Sequence, residues 1–300
     1  MNGTLQDLRD EIDRIDATLH DLFVQRVEVV RRIGALKGEG DGDGRSAMRP
    51  AREAQVLRRL IARDDGLPEG ARLPRATLVR IWRELFAAMT RLQAPLSMAV
   101  YAPPDAPGYR DLARDHFGSL TPMTTVPTTG QAIRAVGSGA VTVAVLPLPQ
   151  DAPEGEGAAP WWLALFPNGD DRLRVIALLP FGAPGSGQQA AELRALAVGR
   201  LEHEPSGEDA TVLAIEAEAT LSRGRLGTLL NEAGLPTGWS AAWRPRAAEG
   251  VPVFHLVEVL DFVAEGEARL ARLVGGGRGE IVRAVPVGGY ARPLSPEELG

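Results

Sequence analysis

"LRDEIDRIDATLHDLFVQRVEVVRRIGALK" occupies residues 8–37. Leu8, Ile12, Ile15, Leu19, Leu22, Val30 and Ile33 recur at steps of three, four or their sums, the 3.6-residue period of an amphipathic helix. The spacing predicts one helix over residues 5–37. It would be about 50 Å long, far beyond the usual eleven or twelve residues. With Leu8 as origin, the apolar stripe stays within about 40° of one line, and Arg26 and Lys37 fall on that line at about 0° and 20°. Lys37 is the only lysine among 33 basic residues. In a chain that otherwise uses arginine throughout, a surviving ammonium marks a place for a compact, rotatable point charge.

Two shorter helices follow. One starts near Pro50, a good first-turn residue, and carries Val56, Leu57, Leu60 and Ile61. The next runs from about Pro74 to Gln93, with Leu78, Trp82, Leu85, Phe86 and Met89 on one face, and Pro95 stops it. A long helix followed by two shorter ones cannot bury its whole stripe within one protomer, which predicts an intertwined dimer. Glu53 and Gln93 also sit on apolar faces. Arg52 adjoins Glu53, and Arg9 borders the first stripe at about 100°, within reach of a partner helix. Arg9, Arg26, Lys37, Arg52 and Glu53 together carry +3. Such groups are costly to bury unpaired, so a hollow they line favours a small dianion.

The chain bounds the rest. Its 300 residues suggest two or three domains, and its 44% hydrophobic and 24% charged residues are ordinary for a globular protein. A net charge of −6 argues against nucleic acid or an anionic membrane as partner. There is no cysteine, which removes disulfides, thiolate nucleophiles and Cys-type zinc sites. His20, His116, His203 and His255 lack metal-ligand spacing and read as surface or satisfied core residues, so neither metal nor cofactor is expected. The acidic, amphipathic N-terminus has no signal-peptide core, and no window approaches a membrane span, so the expected location is cytoplasmic.

After Ser97 the pattern changes. "SMAVYA" and "VTVAVLPL" read as strands separated by the helical "GYRDLARDHFG" and "GQAIRAVGSG", a βαβαβ-type alternation. "DAPEGEGAAP", residues 151–160, is a turn-rich break, and "RLRVIALLPF" and "ALAVGR" read as further strands. From Asp209 the order becomes strand, helix "RLGTLLNEAG", strand "GWSAAWRPR", strand "VFHLVEVLDF", helix "GEARLARLVGG" and strand "IVRAVPVGGY", a βαββαβ module.

The first 95 residues resemble the all-helical (type II) chorismate mutases in the order, length and spacing of three helices. The resemblance rests on the Leu-Arg-x-x-Ile opening, the basic pair Arg26 and Lys37, "RPAREAQVLRRL" and "WRELFAAMTRLQ". It implies rearrangement of chorismate to prephenate in aromatic amino acid biosynthesis, without cofactor. It further implies that Arg26 and Arg9 of the partner subunit grip two carboxylates. Lys37 and Gln93 would donate to the ether oxygen, and Glu53, helped by Arg52, would orient the ring hydroxyl. Arg49 and Met89 depart from the family, which often has an acid and a small hydroxyl residue there. Residues 97–205 resemble a prephenate dehydratase lobe, but "LPQD" replaces its Glu-Asn-Ser/Thr and no Thr-Arg-x-Thr-x-Phe is present, so a non-catalytic lobe is expected. Residues 209–295 resemble an ACT regulatory domain, implying an aromatic amino acid as effector. A bifunctional mutase–dehydratase and a non-enzymatic amino-acid sensor stay open as alternatives.

Overall fold

Helix α1 (Leu5–Gly38) is a single element of 34 residues, matching the sequence period. Thr4 and Asp7 cap its start reciprocally: the Asp7 N–H donates to Thr4 Oγ1 at 3.2 Å, and the Thr4 N–H donates to Asp7 Oδ2 at 2.7 Å. The computed structural model describes residues 4–38, 47–151, 159–166, 173–183, 193–245 and 251–299. The Gly/Asp-rich loop after α1, with Asp41 and Asp43, lies almost wholly outside the described residues, as does most of the break at 151–160.

The stripe of α1 is bare. Leu8 is 54% exposed, Ile12 57% and Leu22 53%, whereas Val30, near the C-terminal end, is 8% exposed. Helices α2 (Pro50–Asp65) and α3 (Arg75–Arg91) do not cover that stripe. Pro50 opens α2, and Ala51, Ala54, Leu57 and Ile61 form its buried face. Helix α3 buries Leu78, Val79, Arg83, Phe86, Ala87, Met89 and Thr90, a face rotated from the expected one so that Trp82 and Leu85 are only half-buried. Gln93 lies just past the end of α3 rather than within it. Ala54, Leu57, Ile61, Leu78, Val79 and Phe86 share a core with Phe181, Ala291 and Leu294, so these two helices pack on the remainder of the chain.

That remainder is built on one nine-stranded sheet of order β2-β1-β3-β5-β4-β9-β6-β8-β7. Strand β1 (Met98–Tyr101), helix α4 (Gly108–Phe117), strand β2 (Met123–Val126), helix α5 (Thr129–Gly137) and strand β3 (Val143–Pro147) form the expected βαβαβ unit, with β1 parallel to both neighbours. Strands β4 (Arg174–Leu179) and β5 (Ala195–Gly199) extend it in antiparallel fashion. Met98 and Val100 face α4, while Ala99 faces the α5 side, as the two-residue period of a strand requires.

Strand β6 (Asp209–Ala217), helix α6 (Arg223–Glu232), strands β7 (Thr237–Trp243) and β8 (Val253–Val259), helix α7 (Ala268–Gly276) and strand β9 (Ile281–Ala291) make the expected βαββαβ module, and a short α8 (Pro296–Leu299) ends the described chain. Leu213, Ile215 and Ala217 of β6 pack with Leu226, Leu229 and Leu273 under α6 and α7, whereas Ala210, Val212 and Ala214 join the core shared with the first lobe.

The two halves of the sheet meet where β4 runs parallel to β9 at Val175 and Gly288. Gly288 has φ +107, and a Cβ there would lie 2.2 Å from the Val175 carbonyl oxygen, so only glycine lets the backbones approach. Among the described residues, no helix is long and apolar enough to cross a membrane.

Candidate active site

Arg9, Arg26 and Lys37 lie on α1, Arg52 and Glu53 on α2, and Gln93 just past the end of α3. Arg9 and Arg26 are exposed on α1, and Arg52 is exposed on α2. Among the described residues the expected enclosed hollow is therefore not formed: the face on which Arg26 lies has no second wall there. Lys37 belongs to the last turn of α1, and its side chain lies outside the described residues. Three residues earlier, Gly34 sits against Gln93, where an added Cβ would be 3.7 Å from Gln93 Cγ. The end of α1 is thus held beside the end of α3. Gln93 is half-buried, and its Nε2 donates to the Met89 carbonyl at 3.2 Å. Of the two departures, Met89 is buried, and Arg49 pairs with Glu204 at 3.2 Å.

Glu53 does not pair with Arg26. Its Oε2 accepts a hydrogen bond from Arg83 Nη1 at 2.9 Å, with side-chain exposures of 18% and 5%. The Arg83 guanidinium carbon also stands 4.7 Å from the centre of the Phe181 ring, and that of Arg58 stands 5.6 Å from the same ring. Burial raises the Glu53 carboxyl above its usual range, opposed by the Arg83 cation and by a backbone hydrogen bond at Arg49. Burial lowers Arg83, opposed by Glu53. At 2.9 Å the pair is best described as ionised, each charge offsetting the other's desolvation. His116 of α4 is held well below 6.5 by burial and then by Arg83, so its ring is neutral at pH 7. Glu53 and His116 both line a cavity between α2, α3 and the lobe, together with Met48, Phe86, Thr90 and Ile176.

Arg83 and its lobe-side neighbours are missing from the candidates named from sequence. Val79, Arg83, Phe86 and Thr90 follow one another at steps of four, three and four and share one helical face, but that spacing does not say which side of α3 meets the lobe.

The histidines need correction. His20 is exposed near Asp21, but among the described residues Nδ1 of His116 and Nε2 of His203 and His255 are buried without a hydrogen-bond partner. Among the described residues no three His, Cys, Asp or Glu side chains cluster as a metal site. At the start of α6, Ser222 accepts from the Arg225 N–H at 3.2 Å. Asp151, from the "LPQD" segment, pairs with Arg223 and accepts from the Ala242 N–H at 3.0 Å.

Residues 8–94 match the family Chorismate mutase type II. The chain is 29% identical over 153 residues to the bifunctional chorismate mutase/prephenate dehydratase of Pseudomonas aeruginosa, covering 50% of this chain and 40% of that protein. It is 30% identical over 159 residues to the protein of the same name from Neisseria gonorrhoeae, covering 52% of this chain and 41% of that one. The chain thus spans about two-fifths of the length of these curated relatives. Among solved structures, a quorum-quenching acylase, GqqA, aligns at 18% identity and TM-score 0.47, over 67% of this chain and 96% of that one. Prephenate dehydratase from Streptococcus mutans aligns at 14% identity and TM-score 0.45, over 66% and 98%.

Proposed function

We propose that this chain is a chorismate mutase whose working unit is a pair of copies joined along α1. The observation that carries the reading is the match of residues 8–94 to the type II mutases. The bare stripe of α1 supports the pairing, since a second copy would supply the missing wall over Arg26.

The reaction breaks one ether C–O bond of a dicarboxylate and forms one C–C bond, with no proton or electron entering. The protein's task is to hold a reactive chair and to stabilise charge growing on the ether oxygen. Arg26 and Arg9 of the partner subunit would grip the carboxylates through bidentate forks. The Lys37 ammonium and the Gln93 amide would donate to the ether oxygen, Gln93 through the second N–H of the Nε2 that already donates to the Met89 carbonyl. Glu53 would accept from the ring hydroxyl, with Arg52 beside it.

Residues 97–205 form a dehydratase-like lobe without dehydratase chemistry on this reading, and 209–295 a regulatory module for an aromatic amino acid. The "LPQD" segment supports the first point: it stands in place of the dehydratase Glu-Asn-Ser/Thr, and its Asp151 is paired with Arg223.

The test follows chorismate loss for the wild type, Lys37→Ala and Arg26→Ala. Wild-type turnover with losses on the order of a hundred-fold or more in each variant is expected. Unchanged rates in the variants would remove the site assignment, and phenylpyruvate formed from prephenate without acid would remove the non-catalytic lobe.

A further inference from the structure

We infer that Arg83 is a positioning residue for the mutase reaction, fixing the Glu53 carboxylate while Phe181 of the α/β lobe fixes Arg83. This rests on the proposed function and extends its site beyond residues 8–94.

Arg83 is 4% exposed and donates to Glu53 Oε2 at 2.9 Å. Its guanidinium lies over Phe181, which follows β4, and it shares the edge of a second cavity with His116 of α4. The carboxylate assigned to the substrate's hydroxyl is therefore set by a chain of contacts running from α2 through α3 into the lobe.

A buried ion pair is a weak source of stability, because two apolar side chains of similar volume often serve as well or better. Around this pair the packing is apolar: Val79, Phe86, Leu57 and Phe181 form one core. Stability alone thus gives a poor reason for Arg83. Aiming gives a better one, because a fork seated on an aromatic ring has little rotational freedom and holds its acceptor in one direction. Among the described residues Arg83 Nε has no hydrogen-bond partner, so the ring and the carboxylate are the contacts that orient the group. The dehydratase-like lobe then serves the mutase reaction itself by supplying the seat.

The groups facing Glu53 are Arg83 from α3, His116 from α4 and the backbone at Arg49. Removing the cation leaves the buried carboxyl easier to protonate, so the acid limb of the rate–pH profile must move to higher pH.

The experiment measures kcat, KM and the pH profile with chorismate for the full chain carrying Arg83→Met, Arg83→Lys, Phe181→Leu or Glu53→Gln, with melting curves for each. Arg83→Met is expected to lower kcat on the order of a hundred-fold, the scale of a misplaced contact, and to shift the acid limb upward. Arg83→Lys restores part of the rate and the limb. Phe181→Leu lowers kcat several-fold without loss of folding. Adding Arg83→Met to Glu53→Gln costs no more than Glu53→Gln alone, because the two act as one unit. Should Arg83→Met fail to fold, Arg83→Lys and Phe181→Leu decide: wild-type kcat in both overturns the inference. So does a full additive loss in the double variant, or an acid limb that survives Glu53→Gln. A wild type without turnover overturns the proposed function as well. Loss in Glu53→Gln with wild-type behaviour at Arg83 and Phe181 overturns this inference alone.

Discussion

His255 sits in β8 opposite Ile215 and Ala242, 3% exposed, with Nε2 lacking a partner among the described residues. Burial first, then the cations of Arg223 and Arg244, lower its pKa from 6.5 to about 4, against a smaller opposing pull from Asp151. The folded chain therefore keeps the ring neutral where the unfolded chain would already bind a proton. Stability from this group is fully present above pH 6.5 and falls as pH drops from there towards about 4, by roughly 3 kcal/mol at most. Urea unfolding of the wild type and His255→Leu between pH 7.5 and 4.5 checks this: the variant's stability should fall less steeply with acid. At this scale the polar candidates were partly legible. Glu53 and Gln93 betrayed themselves as polar groups on apolar faces, and both are at least half-buried. Glu53's true partner was not legible, because assigning Arg83 to the buried side of α3 depends on which neighbour that helix meets, and the lobe rather than α1 is that neighbour.

Among the elements, α1 combines the clearest pattern with the least cover. Periodicity gave its length nearly to the residue, since a helix's phase is written in local spacing. Its exposure is equally a consequence of the pattern: a stripe this long exceeds what two shorter helices can shield. Each of its large side chains, already about half covered, would contribute on the order of 1 kcal/mol on burial against a second copy. The double variant Ile15→Lys, Leu22→Lys places two charges on that seam. Sedimentation should show the wild type as a dimer and the variant as a monomer, with chorismate turnover down on the order of a hundred-fold in the monomer. The strands and helices after Ser97 were also readable, because short β-rich apolar runs such as "MAVY" and "ATVLAIEA" mark buried strands, although runs buried on both faces do not say which side chains meet which layer.

For the whole molecule, the order of strands and helices along both modules follows from sequence pattern, but the order of strands in the sheet and the fusion of the modules do not. That fusion depends on the approach of β4 to β9 at Val175 and Gly288, a long-range pairing that no local period encodes. Gly288→Ala forces a Cβ to within 2.2 Å of the Val175 carbonyl oxygen at a φ of +107. We expect a loss of about 2–4 kcal/mol, seen as a lower urea midpoint. Gly→Ala at the half-buried Gly227 of α6, where an added Cβ meets nothing within 4 Å, should leave that midpoint unlowered. The shared packing of α2 and α3 against Phe181 and Leu294 likewise arises from tertiary context. The uncovered flank of the first helix ties catalysis, on the proposed reading, to how many molecules of the protein a cell holds. Scarce chains would meet too seldom to complete any active centre, so output would climb more steeply than abundance before levelling to simple proportion.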